Sequence, residues 1–299
     1  MRRAPGGAAE PVGPEPAGHA DLARVLARPG RLLIVADFDG TLAEGSRDPG
    51  ATRIVPLARA ALRRLAGVAS LRPDRLAVVV LTGRTVADVA TRVRVGGIRY
   101  LGDHGLQTGT YPRGARPERL EVSIQPGHED SFEPAERLAR RVPELLDRPA
   151  WLFVERKGPS VAFHVRQAED RRSARAAVVA AVDEINGEDP DHDLAHYRGR
   201  LVVDLRPRTA GGKREAFERL LVELAPATVI AFGDDSSDAD GWQALQAARR
   251  AGQLDGLAVA VTGPHGMPDD VRAAADVLLD SPHDVARWLA SIARTLRPT

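Results

Sequence analysis

The chain of 299 residues contains no cysteine. Disulfides, zinc–thiolate sites and thiol nucleophiles are thereby excluded. It also lacks an excess of either charge: the formal net charge of +1 gives no overall bias towards nucleic acid or an anionic membrane surface. Arginine far outnumbers lysine. No apolar run approaches the roughly 20 residues needed to span a bilayer. Arg2-Arg3 is not followed by the apolar segment of a secretion signal. A cytoplasmic protein is expected, with no membrane or nucleic-acid partner. The opening MRRAPGGAAEPVGPEPAGHA is almost without apolar side chains larger than Ala, so residues 1–21 are expected to form a disordered tail. The remaining length suffices for a well-buried core and two domains.

What is present is an alternation of short apolar strands and helical stretches near both ends. Leu32–Ala36, Leu76–Leu81, Ile98–Leu101, Thr228–Phe232, Leu257–Val261 and Val277–Leu279 read as strands. Helical patterns lie between them, around 57–65, 86–93 and 238–250, and over the terminal 282–296. Such alternation predicts a parallel α/β sheet covered on both faces. The middle is different. WLFVERK and SVAFHVRQ flank the turn signal Gly158-Pro159, two helical stretches follow the pattern 134–146 and 171–186, and RGRLVVDLRP closes the region. An α+β insert over 107–206 is expected to interrupt a core made of 22–106 and 207–299. The Arg-rich stretches 59–64 and 137–141 read as solvated helix faces, and Trp151, Trp242 and Trp288 as core or interface residues.

Ligands of open parallel sheets bind beyond the carboxyl ends of the strands. Polar residues gather at four such ends: Asp37, Asp39 and Thr41; Thr82, Gly83 and Arg84; Gly102, Asp103 and His104; and Gly233, Asp234, Asp235 and Asp238. In LLIVADFDGTL a buried strand delivers two carboxylates one residue apart. An aspartate can attack phosphorus, provided that positive charge offsets its repulsion from a phosphate dianion. Magnesium, which prefers a few carboxylates with phosphate oxygens and water, suits that task. Asp37 and Asp234 would supply carboxylates from two strand ends, and Lys213, opening a helix after the insert, a fixed cation. Thr82 with the amides of Gly83 and Arg84 would hold phosphate oxygens. Asp39 would protonate the leaving alkoxide and later activate water. That second carboxylate points to a phosphatase or mutase rather than an ion pump.

DFDGTL, LTGR, Lys213 and GDDSSD, in that order, resemble the four motifs of the haloacid-dehalogenase-type (HAD-like) phosphatases. GDHGL at 102–106, ERKGPSVAFHVR at 155–166 and RLVVDLRP at 200–207 further resemble the trehalose-6-phosphate phosphatases. The resemblance implies a HAD-like, Rossmann-type core with an α/β cap, and magnesium-dependent hydrolysis of a sugar phosphate; a monomer is expected. It makes Asp37 the nucleophile and Asp39 the acid/base. The Asp37 carboxylate, the Asp39 carbonyl and Asp234 would ligate magnesium, with Asp235 and Asp238 in support. Thr82 and Lys213 would hold the phosphoryl group. Gly83, Arg84, Asp103 and His104 from the core, and Glu155, Lys157, Arg166, Arg200 and Asp204 from the cap, would lie on or near the substrate. The chain departs from the family pattern at Asp103, usually Asn, at Arg200, usually Lys, and at Asp204, usually Glu. These changes leave open a related substrate, such as a trehalose-like pseudo-disaccharide phosphate, and a non-catalytic sugar-phosphate-binding regulator is the reading from another class.

Overall fold

The computed structural model describes residues 18–46, 49–189, 194–199, 201–263 and 266–296. Its strands, in chain order, are β1 (Leu32–Ala36), β2 (Leu76–Leu81), β3 (Arg99–Gly102), β4 (Gln107–Thr110), β5 (Glu121–Ile124), β6 (Phe153–Arg156), β7 (Val161–His164), β8 (Ala195–Gly199), β9 (Val202–Arg206), β10 (Thr228–Gly233), β11 (Asp255–Val261) and β12 (Val277–Leu279). The α-helices are α1 (His19–Leu26), α2 (Pro56–Leu71), α3 (Val86–Val93), α4 (Phe132–Leu145), α5 (Arg171–Gly187), α6 (Lys213–Leu224), α7 (Ser236–Arg250), α8 (Asp269–Ala274) and α9 (Pro282–Thr295).

An eight-stranded sheet runs in the order β12-β11-β10-β1-β2-β3-β4-β5, parallel from β12 to β3 and antiparallel beyond. Its central strands are apolar on both sides, as a doubly covered sheet requires. One face packs on α1, α2, α3 and α9 through residues such as Leu22, Leu62, Val89 and Trp288. The other packs on α6 and α7 through Phe217, Trp242 and Leu245. A smaller antiparallel sheet, β6-β7-β9-β8, carries α4 and α5 over a core of its own that includes Leu138, Phe163, Val178 and Ile185. This is the inserted cap.

Two boundaries differ from the sequence reading. β4 and β5 extend the large sheet rather than joining the cap, which therefore begins only after residue 124. QTGT and EVSI are short and half polar, and such strands do not reveal which sheet edge receives them. At the other end, the expected tail over 1–21 overlaps α1, whose Leu22 and Val25 are buried against the core. Gly18 precedes it with φ of +79°, where a Cβ would stand 2.8 Å from Val277. Residues 1–17 lie outside the described residues.

Candidate active site

Leu32–Ala36 is buried throughout, flanked by β10 and β2, and its exit is the floor of the site. The Asp37 amide donates to the Phe232 carbonyl at 3.0 Å, which fixes the first carboxylate beside β10. The chain then turns sharply. Leu42 and Ala43 amides both donate to the Phe38 carbonyl, and Gly40 adopts φ of +79°. A Cβ on Gly40 would fall 2.1 Å from an oxygen of Asp234, so the backbone must pass that carboxylate bare. Thr41 donates its hydroxyl to Asp234 at 3.1 Å.

Lys213, at the first turn of α6, is buried and reaches Asp37 at 3.1 Å and Asp238 at 2.8 Å. Asp238 accepts, on its other oxygen, the amides of Asp234 and Asp235 at 3.1 and 3.3 Å. Asp235 caps α7 by accepting the amides of Ser237 and Asp238. Asp37 and Asp238 thus share one ammonium, whose charge also acts on Asp234 and Asp235. Burial pushes the Asp37 carboxyl up to about 6, against the pull of Lys213 and with the repulsion of Asp235 and Asp39. Burial and the nearby Asp37 and Asp235 raise Asp234 well above the carboxylate range. Burial likewise raises Asp238, although Lys213 opposes it. Lys213 itself is held above its ordinary value: burial works against its charge, and Asp238 and Asp37 overcome it.

This excess of buried carboxylate over cation fits a divalent metal. Oxygens of Asp37, Asp234 and Asp238 lie within 4.8 Å of one another. Asp238 already serves Lys213 and two amides, so its place is in shaping the loop. That leaves Asp37 and Asp234 as the pair that could offer oxygens to a hard cation.

Thr82 is buried at the end of β2, and its hydroxyl accepts the Arg84 amide at 3.3 Å. The Arg84 guanidinium does not turn to solvent. It forks onto Asp39, with Nε and Nη2 donating at 2.5 and 2.7 Å, and its Nη1 donates to Asp88 at 2.6 Å.

The cap meets the core through a second buried cluster. Lys157, just beyond β6, donates to the Gly83 carbonyl at 3.0 Å and lies 3.2 Å from Asp204 and 3.6 Å from Asp103. Arg206 faces Asp204 at 3.2 Å. Asp103 is fully buried and accepts the Ser160 hydroxyl. Burial raises it to about 6 in spite of Lys157. Asp103 and His104 both take positive φ, at 49° and 57°, a strained turn that Asp and His tolerate better than most residues. His104 is pulled down to about 3, by burial first and then by Arg206, against the pull of Asp204, and this shift favours the neutral ring.

The ordinary His value is 6.5, so between 6.5 and 3 the unfolded chain binds a proton that the folded chain refuses. Stability from the neutral ring is complete above that window and falls as pH drops through it. His104→Gln is expected to flatten the loss of stability between pH 6.5 and 4, read as denaturation midpoints across pH.

The Glu155 carboxylate accepts from His164 Nε2 at 2.9 Å, in the tautomer that carries its proton there, and Arg166 donates to the Ser46 carbonyl at 2.7 Å. Arg200 lies outside the described residues. Four participants had no place in the sequence reading: Ser160, Arg206, Asp88 and Gln107. Gln107 receives the Val86 amide at 3.0 Å and donates to the Lys157 carbonyl at 2.6 Å, tying the core to the cap. Only Arg206 left a signal, since it shares the face of Asp204 at strand spacing.

The family model described as trehalose-phosphatase matches residues 35–266. The chain belongs to the trehalose-phosphatase family. It is 32% identical over 275 residues to the trehalose-phosphate phosphatase of Mycobacterium tuberculosis (strain H37Rv), a match covering 87% of this chain and 61% of that one. The corresponding protein of Mycobacterium marinum is 31% identical over 287 residues, covering 92% and 66%. The chain thus spans less than two thirds of the length of these relatives. Among solved structures, the C-terminal domain of trehalose-6-phosphate phosphatase from Candida albicans superposes with a TM-score of 0.69 at 18% identity, over 92% of this chain and 96% of that one. The C-terminal domain of the Candida albicans trehalose synthase regulatory protein gives 0.64 at 14%, over 91% and 97%. These likenesses establish the HAD-like fold, with its parallel sheet and cap. Among the described residues no helix is long and apolar enough to cross a membrane.

Proposed function

We propose that this trehalose-phosphatase family member is a magnesium-dependent phosphatase that hydrolyses trehalose 6-phosphate to trehalose and phosphate. The observation that carries the reading is the pairing of buried Asp37 with Lys213 beside Asp234, with Asp39 held at the exit of the same turn. A binding protein would not need Asp39. A carboxylate nucleophile needs its charge masked from the phosphate, and Lys213 does so on one side of Asp37. Magnesium, held by the Asp37 and Asp234 carboxylates and the Asp39 carbonyl, would supply the Lewis-acid polarisation of the phosphoryl oxygens.

Asp37 attacks phosphorus and forms an aspartyl phosphate as the sugar oxygen leaves. Asp39 gives its proton to that oxygen, then takes one from the water that splits the acyl phosphate. Thr82, with the Gly83 and Arg84 amides at the approach to α3, orients the phosphoryl group. Glu155, Lys157, Arg166, Arg200 and Asp204 are the cap residues proposed for the sugar. Lys157 and Asp204 pair with each other at 3.2 Å, so sugar hydroxyls would have to exchange for that pair.

The test is phosphate release from trehalose 6-phosphate, glucose 6-phosphate and pseudo-disaccharide phosphates, with magnesium and with EDTA. Fast release from trehalose 6-phosphate, lost in EDTA, is the expected result. Release from another member of the panel alone would keep the chemistry and replace the substrate, an outcome that Asp103 and the Asp204–Arg206 pair make worth including. Tight binding without release in saturating magnesium would replace the enzyme with a regulator.

A further inference from the structure

Asp39 sits on an open turn with 42% of its side-chain surface exposed. Such a carboxylate has several rotamers available, whereas proton transfer needs one. The fork of Arg84 removes that freedom. Its guanidinium is only 12% exposed, lies 5.5 Å from the centre of the Phe38 ring, and presents Nε and Nη2 to the two Asp39 oxygens. The remaining nitrogen is held by Asp88. Asp88 is gripped in turn by Arg92, whose Nε lies 2.8 Å from both carboxylate oxygens. Arg92 then donates to the Gly50 and Thr52 carbonyls at 3.1 and 3.0 Å. An unbroken line of charge-assisted bonds therefore runs from Asp39 through Arg84, Asp88 and Arg92 to the chain just before α2.

A planar fork of two N–H donors complements a carboxylate whose two oxygens both accept. That is the form Asp39 takes after it has given its proton to the leaving group. Resting on the phosphatase reading above, we propose that Arg84, braced by Asp88, is a positioning residue that aims Asp39 for the second half-reaction. There Asp39 removes a proton from water, the water oxygen bonds to phosphorus, and the bond from phosphorus to the Asp37 oxygen breaks. The guanidinium acts through Asp39 and does not touch the phosphoryl group.

p-Nitrophenyl phosphate separates the two half-reactions, because p-nitrophenolate leaves without a proton from Asp39. In rapid-mixing experiments with magnesium, Arg84→Ala and the near-isosteric Asp88→Asn are expected to keep a p-nitrophenolate burst of about one per site. Their steady-state kcat should fall about 10- to 100-fold with KM falling in parallel, so that kcat/KM is nearly unchanged, and acid-quenched phosphoenzyme should accumulate. In an Asp39→Asn background neither substitution should slow phosphoenzyme decay further. Equal loss of burst and steady-state rate, an effect on KM alone, or further slowing in the Asp39→Asn background would overturn the proposal. Asp88→Asn covers the case in which Arg84→Ala fails to fold. Wild-type protein inert towards every phosphate ester would sink the phosphatase reading itself, and this inference with it.

Discussion

Asp37→Asn is expected to lower turnover by about 10^4-fold or more while the protein folds normally. Loss of a covalent nucleophile leaves only binding and electrostatic catalysis behind it. An amide cannot form the acyl phosphate, although it fills the same volume beside Phe232 and Lys213. Folding should survive because the change removes a charge that burial already disfavours, as the upward displacement of Asp37 to about 6 attests. The measurement is phosphate release beside a thermal melt. Ordinary turnover in a well-folded Asp37→Asn protein would refute the covalent mechanism, and a collapsed melting curve would show that the carboxylate is structural first.

Lys213→Met should be the most damaging single change to both activity and stability. The methionine fills the space of the lysine stem but leaves Asp37 and Asp238 facing each other without a cation. Breaking a buried ion pair from one side costs about 3–5 kcal/mol, because the abandoned charge stays buried. The sign with pH follows from the carboxylates that remain. Their folded-state values already lie above the ordinary carboxylate value, and without the ammonium they rise further. Lowering the pH protonates them in the folded chain, so the stability deficit against wild type should narrow as pH falls from 7 towards 5. Chemical denaturation at several pH values reads this directly. A deficit that stays constant or grows on acidification would mean that Lys213 stabilises by packing rather than by charge.

The strand ends were legible because their grammar is local. A run such as LLIVA followed by DFDG announces a buried strand and a sharp turn, and the spacing of Asp37 and Asp39 places both beyond that end. Asp234 and Asp238 are similarly local to the β10–α7 junction, where helix capping and site formation use the same carboxylates. What escaped sequence reading was pairing at a distance. Arg84 and Asp39 are 45 residues apart, and Ser160 and Asp103 are 57 apart. No periodicity encodes such partners; they emerge only when the sheet order and the docking of the cap are fixed. The same reason explains β4 and β5. Their residues satisfy a half-polar strand pattern, but the choice between two sheets is made by β3 at the open edge of the larger one.

The two buried lysines also change the meaning of the chain's composition. Lys157 and Lys213 are its only lysines, in a sequence that otherwise draws every cationic side chain except histidine from arginine. Lys213 stands between Asp37 and Asp238, and Lys157 among the Gly83 carbonyl, Asp204 and Asp103. Each ammonium is shared by oxygens that arrive from different elements. A guanidinium is flat and wide and matches one carboxylate edge-on, as Arg84 matches Asp39, whereas an ammonium is a compact charge with three donors spread around it. The scarcity of lysine elsewhere thus makes these two positions stand out as places where a near-spherical cation is required, and arginine would satisfy neither cluster without moving the strands that build it.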